Sequence, residues 1–167
     1  TGEVPAEYRG KWMVRKQDGK VAVWRCYVPP TYHASYLGRM WSFFGFAMST
    51  STAALVCPDA DVVIATSPPL TIVIPGWLAA HGRLWKRRSK LIFEMRDLWP
   101  ESAVTTGVLS ERSPLTKLLY GLERWGAAAA DAVNVLTPAF RDDLIKRGLA
   151  DDDKIVFVPN SADVGLF

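Results

Sequence analysis

Four short apolar runs, separated by longer stretches of helical character, constrain the fold of this chain more than any other feature. These runs are DVVIATS (61–67), KLIFEMR (90–96), DAVNVLT (131–137) and KIVFVPN (154–160). They are short, mostly apolar and rich in β-branched residues, as buried strands are. A fifth run, KVAVWRCYV (20–28), alternates like a half-buried strand.

The stretches between these runs predict helices over 34–57, 69–88, 113–129 and 138–148. The third opens with SPLT, in which a proline follows a serine at a first helical position. Alternating strands and helices predict an α/β fold with a parallel sheet that carries helices on both faces.

The hydrophobic content, net charge and cysteine spacing of the chain indicate an ordinary globular domain. A chain of 167 residues that is 49% hydrophobic can bury the core of one ordinary domain. The formal charge of +3 is too small to indicate a nucleic-acid partner. Cys26 and Cys57 lack metal-ligand spacing, which argues against a zinc site or a disulfide scaffold and favours a reducing cytoplasm.

Polar residues and prolines follow each of the four apolar runs. In a parallel sheet the carboxyl ends of the strands open on one edge, where ligands bind. The candidate ligand-binding segments are therefore SPP (67–69), RDLWPES (96–102), TPAF (137–140) and PNSAD (159–163).

The segment RDLWPES has two interpretations from its residues alone. Asp97 and Arg96 either face a ligand, or Asp97 caps the next turn while Arg96 pairs with Glu94 or Asp97. Glu101 suits a first helical turn, where a carboxylate interacts well with the helix dipole. Trp99 is predicted to pack in the core, with a platform for sugar stacking as the alternative.

Two of the other segments have the residues of a helix start. Ser67 precedes Pro68 and Pro69, and Thr137 precedes Pro138. Each hydroxyl is expected to cap the following helix, and each is also compatible with a ligand contact.

One apolar stretch and one basic cluster point to a membrane surface. Residues 40–57 carry no charge, which predicts a buried or membrane-touching helix and leaves a membrane span as the alternative. The basic cluster is Arg83, Lys86, Arg87, Arg88 and Lys90. It is interpreted either as contact with an anionic bilayer or as a solvated helix end.

The segments TGEVPAEYRG, DVVIATSPPL, FEMRDLWPESAVTTGVL and VFVPNSADVGLF together resemble the N-terminal domain of family 4 glycosyltransferases of GT-B architecture. The similarity is greatest to bacterial enzymes of surface-polysaccharide and O-antigen assembly, including N-acetyl-fucosaminyltransferase-like proteins. This resemblance implies two Rossmann-like domains, of which the chain has part of the first. Residues 1–158 would form the acceptor-side domain, and 159–167 the start of the linker to an absent donor domain. Such a fragment is expected to be inactive alone.

The resemblance also implies a site and a reaction. Asp97 and Arg96 would be the catalytic pair of a retaining hexosyltransferase-type enzyme that uses a nucleotide-sugar donor and a glycan or polyprenyl-linked acceptor. The expected substrate contacts are Glu101, Ser67, Pro68, Thr137 and Asn160. No metal or other cofactor is implied, and the expected location is cytoplasmic at the inner membrane face. The alternatives are a non-catalytic membrane-binding or scaffolding domain and a nucleotide-sugar epimerase of GT-B architecture.

Overall fold

A computed structural model of the chain describes residues 4–31, 35–82, 88–161 and Gly165. These ranges contain six strands and five α-helices. In chain order they are β1 (Met13–Asp18), β2 (Val21–Cys26), α1 (Tyr36–Val56), β3 (Val62–Ser67), α2 (Val73–His81), β4 (Lys90–Met95), α3 (Glu101–Thr105), α4 (Pro114–Ala129), β5 (Ala132–Val135), α5 (Pro138–Lys146) and β6 (Ile155–Phe157). Short 3₁₀ helices lie at Ala6–Tyr8, Leu70–Ile72 and Asp152–Lys154.

The centre of the molecule is a parallel sheet with the strand order β3, β4, β5, β6. Its four strands are those that the apolar runs predict. The register places Ser67, Met95, Val135 and Phe157 in one row across the sheet. Because these residues end their strands, all four carboxyl ends lie on one edge. The predicted α/β class, with a parallel sheet flanked by helices, is confirmed.

The core lies where α2 and α4 pack against the sheet, and two glycines allow this close approach. A Cβ atom on Gly76 of α2 would lie 2.6 Å from the Cβ of Ala65 in β3. On Gly126 of α4 it would lie 2.7 Å from Cγ2 of Val73 and 3.3 Å from Cε1 of Phe93. At these two positions the helix backbone therefore lies so close to its neighbours that any side chain would collide with them.

The N-terminal region departs from the prediction. The run at 20–28 does not join the parallel sheet, because β2 pairs antiparallel with β1 in a separate two-stranded sheet. Strand β1 was not predicted, since its sequence MVRKQD is largely polar and four of its six residues are exposed. A two-residue turn, Gly19-Lys20, joins the two strands, and its first residue Gly19 has a φ of 55°.

Helix α1 matches the helix predicted over 34–57. It begins at an N-cap, Ser35, whose hydroxyl oxygen accepts a hydrogen bond of 3.0 Å from the Gly38 amide. The helix predicted over 69–88 is shorter, because Leu70–Ile72 forms a 3₁₀ turn and α2 ends at His81. Within the described ranges, no helix has both the length and the apolar character needed to cross a membrane.

Candidate functional site at the carboxyl edge of the sheet

The turn after β4 carries the two residues predicted to be catalytic. Its first amide, that of Arg96, donates a hydrogen bond of 3.2 Å to the carbonyl oxygen of Ser67, which ties the turn to the end of β3. The Arg96 side chain is exposed and Asp97 is half-buried. Within the described part of the chain, neither side chain has a hydrogen bond or ion pair to another protein group. Both charges are thus available at the ligand-binding edge.

The structural alternatives for this pair are not observed. Helix α3 begins after Pro100, and no side chain caps it, so Asp97 is not its N-cap. Arg96 makes no ion pair with Glu94 or Asp97 among the described residues. Trp99 is partly buried against the hydrophobic core, which confirms the predicted packing role.

Glu101 lies in the first turn of α3, as predicted, but its carboxylate is engaged. The hydroxyl of Tyr120 on α4 donates a hydrogen bond of 2.5 Å to Oε2 of Glu101. Burial, with the adjacent Glu101 carboxylate, raises the pKa of Tyr120 to about 12. The tyrosine therefore remains a donor at physiological pH.

Ser67 does not have the predicted capping role. The 3₁₀ turn begins after Pro69 and α2 after Ile72, and neither start carries a side-chain cap. Ser67 is the last residue of β3 and is 1% exposed, whereas Pro68 is exposed at the edge. The prediction failed because the chain makes a 3₁₀ turn before α2 instead of starting the helix at the prolines.

Thr137 caps α5 as predicted, since its Oγ1 accepts a hydrogen bond of 3.2 Å from the Phe140 amide. Asn160 is exposed three residues after the end of β6. Both residues stand at the edge that carries Arg96 and Asp97. The structure thus brings the four predicted segments to one side of the sheet.

Asn134 connects two parts of this edge and was not predicted as a functional residue. It is 8% exposed, and its Nδ2 donates a hydrogen bond of 3.1 Å to Oε1 of Glu94 in β4. Its Oδ1 accepts a bond of 3.1 Å from the Val158 amide after β6. An asparagine inside an apolar strand run, DAVNVLT, is the signal that could have identified it.

Behind the site turn, a charged network links α4 with α5. Arg147 binds Glu123 through both of its terminal nitrogens and donates a bond of 3.1 Å to Oδ2 of Asp143. Its guanidinium carbon lies 5.6 Å from the centre of the Tyr120 ring. Glu123 has no exposed surface. An open groove of about 360 Å³ runs beside the network and is lined by Tyr120, Gly121, Glu123, Arg124, Arg147 and Leu149.

The described part of the basic cluster lies at the opposite, amino end of the strands. Arg88 is exposed, and Nζ of Lys90 lies 2.7 Å from Oδ1 of Asp131. Oδ2 of Asp131 accepts a bond of 2.9 Å from the Leu91 amide. These bonds, that of Lys90 first, lower the pKa of Asp131. The remaining members of the cluster, Arg83, Lys86 and Arg87, lie outside the described residues.

A parallel sheet flanked by helices, with a charged turn at its carboxyl edge, defines an α/β domain of the Rossmann-like class. Residues 4–161 match the family described as the glycosyl transferase 4-like domain. The chain therefore belongs to the glycosyltransferase 4-like family, and its architecture is consistent with one half of a GT-B fold. No curated protein matches it.

Proposed function

We propose that this chain is the acceptor-side domain of a retaining glycosyltransferase of the hexosyltransferase type. The enzyme moves a sugar from a nucleotide-sugar donor to a glycan or polyprenyl-linked acceptor in the synthesis of a cell-surface polysaccharide. The observation that carries the proposal is the position of Arg96 and Asp97 at the carboxyl edge, without a protein partner for either side chain in the described ranges. Family membership supports glycosyl transfer as the chemistry.

In the proposed reaction, the bond from the anomeric carbon to the donor diphosphate breaks while a bond to the acceptor oxygen forms on the same face. The departing diphosphate takes the proton of the acceptor hydroxyl, so no enzyme nucleophile and no metal is required. Asp97 accepts a hydrogen bond from a substrate hydroxyl and stabilises positive charge near the anomeric carbon. Arg96 offers its charge to the diphosphate, while Glu101, Pro68, Thr137 and Asn160 shape the surrounding surface. Ser67 is buried and supports this surface from beneath, at the end of β3.

The proposal extends to the organisation and location of the enzyme. Residues 1–158 act with a second domain that holds most of the donor, and 159–167 begin the connection to it. The protein works at the inner face of the cytoplasmic membrane, where Arg88 and the other residues of the basic cluster contact anionic lipid. The narrower resemblance to N-acetyl-fucosaminyltransferases suggests the first donors to test.

The proposal is tested with the protein expressed from its complete reading frame and assayed for release of nucleoside diphosphate from a panel of nucleotide sugars. Replacing Asp97 with alanine is expected to lower kcat about 100-fold or more, because a charge that acts in the transition state is lost. Asp142→Ala, which removes an exposed carboxylate from α5, is the control and should retain activity. Full activity in Asp97→Ala would contradict the role given to this residue.

A further inference from the structure

The turn that carries Arg96 and Asp97 is joined to the rest of the domain by few polar contacts. Most hydrogen bonds of the segment 96–109 are local, such as those from Ser102 to Leu98 and from Leu109 to Ala103. At its start the Arg96 amide is bonded to Ser67. Among the described residues, the bond between Tyr120 and Glu101 is the one side-chain hydrogen bond that links this segment to another element.

Tyr120 is itself held in place. It lies on α4, whose buried face packs against the sheet, and the Arg147 guanidinium lies over its ring. Arg147 is in turn fixed by its bonds to Glu123 and Asp143. The hydroxyl therefore meets Glu101 from a side chain that packs against Arg147, and the acceptor is a carboxylate, which makes the bond a strong one.

The geometry points to Tyr120 as a positioning residue of the transfer reaction: through Glu101 it fixes the turn that presents Arg96 and Asp97. This inference rests on the proposed function. It gives Glu101 a role that acts through the turn, since Oε2 of its carboxylate is already bound by Tyr120. A displacement of reacting groups by about 1 Å can lower a rate about 100-fold, so loss of the tether should be visible in catalysis.

The first measurement is backbone hydrogen exchange in Tyr120→Phe and in the unchanged protein. Removing the hydroxyl is expected to speed exchange of the amides of 101–109 about tenfold, because opening of this segment no longer breaks the Glu101 bond. Exchange in β4 and β5 should stay unchanged and serves as the internal reference for global stability. Tyr8→Phe, which removes a hydroxyl from the N-terminal region, is the matched control.

The second measurement is a kinetic cycle of Tyr120→Phe, Glu101→Ala and the double variant in the full-length enzyme. Each single change is expected to lower kcat about 10-fold to 100-fold while KM for the donor changes less than about twofold. The double variant should be no slower than the slower single variant, because both changes break the same bond. Glu101→Gln keeps an acceptor oxygen and should restore part of the rate.

Unchanged exchange of 101–109 in Tyr120→Phe would overturn the inference, whatever the activity assays give. It would also be overturned if Glu101→Ala raised KM while Tyr120→Phe kept full activity, since Glu101 would then contact substrate directly. If the unchanged enzyme transferred no sugar from any donor, the proposed function would fail and the catalytic role with it. Exchange would still show separately whether Tyr120 orders the turn.

Discussion

Glu123 shows how a single residue can depend on one partner. Its carboxylate has no exposed surface, and Arg147 supplies two hydrogen bonds to it. A buried charge is tolerated when its partner satisfies it, whereas removal of that partner leaves the charge without water or a counter-ion. The pair therefore contributes less to stability than the loss of either member would suggest.

Replacing Arg147 with methionine is expected to lower the free energy of unfolding by about 3–5 kcal/mol at neutral pH. Adding Glu123→Gln should recover part of this loss, because the second change removes the unpaired charge. Urea unfolding of the single variant, the double variant and the unchanged protein measures both effects. Arg141→Met, which breaks an exposed ion pair with Asp152 on the same helix, is the control and should cost at most about 1 kcal/mol.

The loss in Arg147→Met should also depend on pH. Burial raises the pKa of Glu123 even beside Arg147, and without the guanidinium burial acts together with the Asp143 and Glu101 carboxylates to hold this pKa further above that of the unfolded chain, which is about 4.3. The folded variant then binds the proton of Glu123 more tightly than the unfolded chain does. Its stability therefore falls as the pH rises from the unfolded-state pKa through the folded-state pKa of this carboxyl. The variant should accordingly be closest to the unchanged protein near pH 4, and an equal loss at pH 4 and pH 8 would contradict this account.

Among the elements, α4 carries two glycines in opposite surroundings. A Cβ on Gly126 would meet Val73 and Phe93, while one on Gly121 would have no atom within 4 Å. Alanine has a higher helix propensity than glycine at both positions, but only Gly126 faces a packed core.

Substitution of each glycine by alanine is therefore expected to change the stability of the domain in opposite directions. Gly126→Ala should destabilise the domain by about 1–3 kcal/mol through overpacking. Gly121→Ala should stabilise it by up to about 1 kcal/mol, because only the helix propensity changes. Thermal and urea unfolding of the two variants measure the difference. Equal effects at the two positions would show that α4 does not approach the sheet as described.

How far the elements could be predicted depends on whether their signals are local. Each of the four parallel strands is indicated by an apolar run in the sequence. The pair Thr137-Pro138 likewise indicates the start of α5 from two adjacent residues. Strand β1 depends on its partner β2, although Gly19-Lys20, a two-residue turn that begins with glycine, was a usable hairpin signal. Helix α3 has five residues, too few for a helical period to be recognised.

The same distinction between local and long-range signals applies to the residues of the candidate site. The sequence places Arg96 and Asp97 after a strand, and the parallel order of the sheet then brings them to the ligand-binding edge. Tyr120 meets Glu101 across 19 residues, and Asn134 meets Glu94 across 40 residues. Contacts at such separations leave no local pattern, because they exist only after the elements have packed.

At the scale of the whole molecule, the two ends of the strands carry different chemistry. The carboxyl end presents Arg96 and Asp97, whereas Arg88 lies at the amino end beside the ion pair of Lys90 with Asp131. Membrane contact through Arg88 would therefore leave the carboxyl edge facing away from that contact.

This arrangement is tested by sedimentation with vesicles that contain phosphatidylserine. The unchanged protein is expected to bind in a salt-sensitive manner, at about 1 kcal/mol per basic residue near the surface. Changing Arg83, Lys86, Arg87 and Arg88 to glutamate should abolish binding. The control changes four exposed cations elsewhere to glutamate: Lys16, Arg112, Lys117 and Lys146. If the unchanged protein does not bind, the membrane role is wrong; binding without sugar transfer would favour a scaffolding domain.

The bonds of Asp131 have a consequence for the route by which the domain folds. They fasten residue 131 to residues 90 and 91 and so close a ring of about forty residues that contains both the Arg96–Glu101 turn and Tyr120. Within a closed ring, a further contact across 19 residues costs less chain entropy than in an open chain, by about 0.6 kcal/mol. If β4 pairs with β5 early in folding, the bond between Tyr120 and Glu101 therefore forms within a loop that is already closed.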